Sequence, residues 1–232
     1  MLFPWRFGER HNLTESANWT SQPLPLFFCP QFGERPAGLR QHLRLRVARL
    51  QDLHMPLRLR TARLELIAAT LPLVEAEIAG LAHLGERLQA EVETWPPPLN
   101  DENSLRWTLQ KLQANPEAAG FFAWYVVLIN EGKRELVGIA GVTGPPDQSG
   151  TIEVGYSVVE KFQKRGIGTE ATRALIQWAF KHPAVQTVIA QTLPELGPSI
   201  KVMERCGMTF LGTGSEPGTI RYGISREQFG QR

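Results

Sequence analysis

Cysteine is the first scarcity. Cys29 and Cys206 are the only two in 232 residues, with no C-x-x-C pair and no spaced His/Cys set. A disulfide framework and a structural zinc site are therefore excluded as working models, no metal is expected, and a reduced, cytoplasmic setting is the simplest reading. Net charge is equally thin at +2, too small to nominate nucleic acid or an anionic membrane as the main partner. Long apolar runs are missing too: the longest, 121–129, falls far short of the ~20 residues a spanning helix needs. His11, His42, His54, His83 and His182 form no spaced pair, and His182 is expected to complement the end of a helix.

Residues 1–54 lack lysine and lack a period. They hold seven arginines, four acids, scattered aromatics and several prolines. The tetrapeptide Phe-Gly-Glu-Arg occurs twice, too short to argue for a repeat architecture. No uninterrupted apolar segment marks a secretory signal, and the acids and prolines count against a transit peptide. The expectation is a disordered extension, or sequence upstream of a true start at Met55.

What is present is concentrated in 151–180. Ile152, Val154, Tyr156 and Val158 alternate, which reads as a strand. Beyond Gly168 the period lengthens, and Ala171, Ala174, Leu175, Trp178 and Ala179 fall on one helical stripe. Between them lie Gln163, Lys164, Arg165, Gly166, Ile167, Gly168 and Thr169, a basic loop whose glycines open the helix. Glycine lets the backbone approach a ligand closely. The first-turn amides lack internal partners and carry the positive end of the dipole. Such a place binds phosphate.

Gly166-x-Gly168-x-x-Ala171 also fits the dinucleotide fingerprint, but the context fails. Six residues, 160–165, separate strand from glycine. The acid expected about 20 positions on is absent, since Val188, Ile189, Ala190 and Gln191 stand there. A P-loop would end Gly-Lys-Ser/Thr, whereas this loop ends Gly-Thr-Glu.

Around this centre the pattern predicts a strand over 57–66, a helix over 71–88 and an extended loop at Pro96, Pro97 and Pro98. A second helix starts at Asp101 and buries Leu105, Leu109 and Leu112, with Trp107 on another face. Strands over 121–129 and 135–142 flank a polar turn at 130–134, a hairpin. Further strands fall at 185–192, 208–211 and 219–224, and Pro198 opens a short helix over 199–206.

Gln163-x-x-Gly166-x-Gly168 after a strand ending at Val158 and Val159 resembles the acetyl-CoA pyrophosphate loop of the GNAT N-acetyltransferase superfamily. Thr61-Ala62-Arg63-Leu64, Glu153-Val154-Gly155-Tyr156 and Ser199-x-x-Val202-Met203-Glu204-x-x-Gly207-Met208 bring it closest to the RimJ/RimL type. The resemblance covers 55–229 as one domain. It implies an α/β (α+β) fold, a mixed central sheet of about seven strands flanked by about four helices. It also implies direct acetyl transfer from acetyl-CoA, as cosubstrate, to a primary amine on a protein N-terminus such as a ribosomal protein, or on a small molecule. The chain would act as a monomer or homodimer.

In this likeness residues 163–169 hold the pyrophosphate, and backbone groups at Val158 and Val159 hold pantetheine and polarise the thioester. Glu153, an acid in an apolar run, is the candidate base, with a hydrogen bond or ion pair to a neighbouring strand as the alternative. Ser199 matches the family serine near the CoA sulfur and is the candidate proton donor, or else a hydroxyl contacting its own helix start. Tyr222 is a second possible donor. Cys206 is not a nucleophile candidate, because direct transfer needs none. Trp95, Trp107 and Trp124 fall where the acceptor pocket is walled. One position departs from the subgroup, Leu196 in place of the usual asparagine, and it leaves open a catalytically weak CoA-binding module.

Overall fold

The structure is a computed structural model and describes residues 56–231. The reading of 1–54 lies outside the described residues.

The opening strand is two strands. β1 (Arg58–Arg60) and β2 (Leu64–Ala68) pair antiparallel about a turn at 61–63. All five residues of β2 are buried, because the strand lies inside the sheet with both faces covered. Glu65 stands among its leucines, and its carboxylate accepts from Arg58 at 2.9 Å, Arg60 at 3.1 Å and Arg134 at 2.6 Å. Burial alone would raise its pKa. The three guanidiniums outweigh burial and hold it below the ordinary carboxylate value.

The stripe over 71–88 likewise divides, into α1 (Leu71–Ala79) and α2 (Leu81–Leu88). The break is Gly80, whose φ of 137° suits glycine alone. Helix α3 (Glu102–Ala114) is capped by Asp101, which accepts from the Ser104 N–H at 2.9 Å. Its buried stripe is Ser104, Thr108 and Leu112, and the expected Leu105 and Leu109 flank it half-buried. The small side chains let α3 lie close to α1, and the Thr108 hydroxyl is satisfied by the Ser104 carbonyl at 3.0 Å.

β3 (Ala123–Asn130) and β4 (Lys133–Val142) form the expected hairpin. Glu131 and Gly132 both take positive φ, as a two-residue hairpin turn requires. There follow β5 (Thr151–Val158), α4 (Ile167–Ala179), β6 (Thr187–Thr192), α5 (Gly197–Arg205), β7 (Thr209–Thr213) and β8 (Ile220–Ser225). A final helix, α6 (Arg226–Gly230), was not expected, although Ser225 and Gln228 build a full capping box for it. The end of α4 is complemented by Arg226, which donates to the carbonyls of Phe180, His182 and Val185. The His182 ring packs instead against Trp178 and Phe121.

The described residues thus make an eight-stranded sheet, one strand more than expected, with six α-helices. Strand order is β1-β2-β3-β4-β5-β6-β8-β7, antiparallel except at β5–β6. Helices α1 to α3 cover β2 to β4 on one face through Ile67, Tyr125 and Leu136. Helices α4 and α5 cover the other face, over Val154, Tyr156 and Val188.

Candidate active site

The parallel pairing of β5 and β6 is short. It joins Thr151–Glu153 to Thr187–Ile189, and beyond those three pairs the strands part. The Thr143 N–H donates to the Glu153 carbonyl, and the Val159 N–H to the Val137 carbonyl. Odd-numbered backbone groups of β5 therefore serve β4. Those of Tyr156 and Val158 turn toward the gap. The Gln163 side-chain amide reaches back to the Val158 carbonyl at 2.9 Å. Val158 and Val159 have buried side chains, so only their backbone is available.

At the mouth of this gap the loop 163–169 leads into α4. Lys164 has φ 60° and Gly166 φ 80°, left-handed residues alternating in a way that turns successive N–H groups outward. Ile167 is buried and anchors the helix start, so its contribution to a ligand is its amide. Gly168 has ordinary φ, and a Cβ there would meet Tyr156 at 3.5 Å and Val202 at 3.7 Å, normal contact distances. The fold itself does not demand glycine at 168. The Thr169 hydroxyl is buried without a partner among the described residues.

A brace holds the loop in place. Glu170 accepts from the Thr61 hydroxyl at 2.5 Å and from Arg63 Nε and Nη2 at 2.9 and 2.7 Å. Arg63 also donates to the Arg165 carbonyl at 3.2 Å. Burial pushes the Glu170 pKa up, and Thr61 and Arg63 more than reverse it. Beside the brace lies an open depression of about 460 Å³, lined by Arg60, Arg63, Gly166, Thr169, Arg173 and Arg205.

On the face opposite α4, half-buried Glu153 accepts from Gln191 Nε2 at 3.0 Å. The orientation of that amide is fixed by chemistry. Its oxygen accepts from the Ser215 N–H at 2.5 Å, a group that can only donate, so its NH₂ must face the carboxylate. Gln191 also ties down the β7–β8 loop, where a Cβ on Gly214 would fall 2.0 Å from the Thr219 hydroxyl.

On the α4 side, Ser199 is buried in the first turn of α5. The Tyr156 hydroxyl donates to its carbonyl at 3.0 Å and lies 3.1 Å from its Oγ. Burial raises the Tyr156 pKa far enough that the phenol stays protonated at neutral pH. Glu153 and Ser199 therefore flank the gap from opposite faces of the sheet. The buried side chain of Leu196 brings no polar group to the α5 start. Tyr222 is buried against Phe210, and the fully buried Trp124 donates to the Gly120 carbonyl at 2.8 Å, so both are core residues. Burial pushes the Cys206 thiol up to about 11, an inert state.

Trp95 and Trp107 are half-buried on the α1–α3 side. Trp95 donates to Glu77 at 2.5 Å and Tyr125 donates to the same carboxylate at 2.6 Å. Burial raises the Glu77 pKa despite those two donors. The Ser157 hydroxyl donates to the Pro98 carbonyl at 2.6 Å, which fastens the proline loop over this face. Glu170 and Gln191 are the residues at this site that no quoted motif announces, and the bonds that Thr61, Arg63 and Tyr156 make across the fold are not readable from their motifs.

The model of the acetyltransferase (GNAT) domain family matches residues 70–209. The uncharacterized N-acetyltransferase YjdG of Bacillus subtilis (strain 168) is 30% identical over 96 residues, 41% of this chain. The match spans 56% of that relative, about half its length. Among solved structures, the ribosomal-protein-S5-alanine acetyltransferase of Vibrio fischeri superposes with a TM-score of 0.52 at 18% identity, covering 74% of this chain and 97% of its own. RimL, a ribosomal L7/L12 α-N-protein acetyltransferase solved with coenzyme A, gives 0.51 at 18%, with 73% and 98% covered. Likeness at that identity speaks to the fold. The family match covers most of the described domain, and the chain belongs to the GNAT acetyltransferase family.

Proposed function

We propose that this protein transfers an acetyl group directly from acetyl-CoA to a primary amine, on a protein N-terminus such as that of a ribosomal protein or on a small molecule. The observation that carries the reading is the gap between β5 and β6, with backbone groups of Tyr156 and Val158 turned into it and a nest of amides at its mouth.

The residues fit the cosubstrate. The amides of 164–169 and the orphaned Thr169 hydroxyl suit a pyrophosphate. Arg60, Arg173 and Arg205 extend the positive field for a further phosphate. Acetyl-CoA supplies an activated thioester. The chain's own groups then do three things. Backbone N–H groups of β5 stabilise negative charge developing beside the gap. Glu153, oriented by the donated Gln191 amide, accepts a proton from the incoming ammonium. Ser199, with its carbonyl and hydroxyl held by Tyr156, donates a proton to the CoA thiolate that leaves as the C–N bond to the amine forms and the C–S bond breaks.

A second reading, a CoA-binding module of the same fold with weak catalysis, is favoured by Leu196 alone. Titration calorimetry with acetyl-CoA, paired with thiol release over an amine panel, tests both. Binding with turnover supports the transferase. Binding without turnover on any amine supports the module, and no binding overturns both.

A further inference from the structure

Glu153, Gln191 and Arg221 stand on three adjacent strands, with the Gln191–Arg221 pair set diagonally from Glu153. Glu153 pairs with Ile189, Gln191 follows two residues on, and Gln191 pairs with Arg221. All three side chains therefore leave the sheet on one face. Most guanidiniums of the fold are engaged: Arg58, Arg60 and Arg134 share Glu65, Arg63 holds Glu170, and Arg226 caps α4. Arg221 is different. It is half-buried, its Nε is withdrawn from water, and among the described residues it has no hydrogen-bond or ion-pair partner. A cationic donor in that state is stabilised by any anion that reaches it.

Glu153 is the obvious counterion, and Gln191 keeps the two apart. Its amide is locked between Ser215 and Glu153, so it fills the position between the opposite charges. The backbones carrying Glu153 and Arg221 are two strand spacings apart across the sheet, about 10 Å, and two residues apart along it, about 7 Å. One group accepts a proton from an amine, and the other waits for an anion a short distance away. A single planar guanidinium matches a carboxylate by paired N–H bonds.

We propose that Arg221 reads a carboxylate on the acceptor: the amine that reaches Glu153 belongs to a molecule whose acid lies a few bonds from it, as in a peptide with an acidic residue next to its N-terminus. The inference rests on the transferase reading and assigns the acceptor's chemical class.

The test uses the full chain, acetyl-CoA and two pairs of tripeptide amides, Ser-Asp-Ala against Ser-Asn-Ala and Ser-Glu-Ala against Ser-Gln-Ala. At least one acidic peptide should exceed its neutral twin about tenfold in kcat/KM, through KM, the effect of one charge-assisted pair. Arg221→Gln should bring that ratio to about one, and Arg221→Lys should keep part of it. A variant that is merely less stable lowers both members of a pair and leaves the ratio where it was. A ratio near one in the parent, or one that Arg221→Gln leaves intact, overturns the proposal. The Arg221 Nε–H resonance, assigned through the lysine variant, gives a readout that needs no turnover. It should shift saturably with an acidic peptide and not with its neutral twin, and no shift with either acidic peptide also overturns it. Calorimetry with acetyl-CoA on the same sample separates the two readings. A selective Nε shift without acetyl-CoA binding sinks the transferase and leaves Arg221 as a carboxylate site.

Discussion

Gly168 offers the sharpest separation of ligand binding from folding. A Cβ at this position would stand 3.5 Å from Tyr156 and 3.7 Å from Val202, so alanine fits without displacing either neighbour. Alanine in a first helical turn costs nothing in propensity, and Gly168→Ala should melt within about 2 °C of the parent, an effect below ~1 kcal/mol. Valine adds two carbons about 1.5 Å further out. Toward Tyr156 and Val202 there is no room for them, so at least one must turn toward the amides of the loop. There it obstructs close approach of a phosphate, at the expense of about one charge-assisted hydrogen bond worth about 1.5–3 kcal/mol. Calorimetry with CoA should show Kd raised about ten- to a hundredfold in Gly168→Val, with Gly168→Ala in between. Thermal melts on the same samples control for overpacking. An unchanged CoA Kd in the valine variant would refute the placement of the pyrophosphate and with it the acetyl-CoA reading.

Three more outcomes can be checked. Glu65→Gln leaves the partly buried Arg58 and Arg134 without their carboxylate while the exposed Arg60 turns to water, a loss of about 3 kcal/mol and a fall of roughly 10 °C in Tm. Because the Glu65 and Glu170 pKa values are lowered by folding, their stabilisation is complete above the unfolded value of 4.5. It drains away as pH falls through the folded values, and the glutamine variant should show a flatter acid limb. Ser199→Ala should lower kcat more than it weakens acetyl-CoA binding. Tyr156→Phe should do the same to a smaller degree, and equal losses in both parameters would make the pair structural. Glu153→Gln should slow transfer most at low pH, where the amine is an ammonium, and recover as pH rises. A loss below about threefold at neutral pH would demote the carboxylate, since acid–base assistance is worth about 10²–10⁴.

The parts of this molecule that were legible in the sequence are local ones. The loop and helix at 163–179 announce themselves by a change of period and by glycine spacing, and the hairpin turn by Asn130-Glu131-Gly132. Gly80 is readable as a break, yet the continuous apolar stripe around it argues for one helix. β2 misleads for a related reason: a strand covered on both faces loses its alternation. The brace from Arg63 to Glu170 spans 107 residues, and the Gln191 latch to Ser215 spans 24. Partners that far apart leave no periodic trace. Arg221 was invisible for the same reason, since it stands out only once Arg58, Arg60, Arg63, Arg134 and Arg226 have been given their acceptors.

The short parallel seam between β5 and β6 also divides one strand into two populations of amide. Along β5, odd-numbered amides such as Val159 are bonded into β4. Tyr156 and Val158 turn theirs toward the gap. Beyond Glu153, hydrogen exchange along this strand should therefore alternate, slow and fast, residue by residue, although the strand lies at the centre of an eight-stranded sheet. A ligand seated in the gap would even out the alternation, so the contrast between neighbouring amides becomes a direct gauge of how fully the seam is filled.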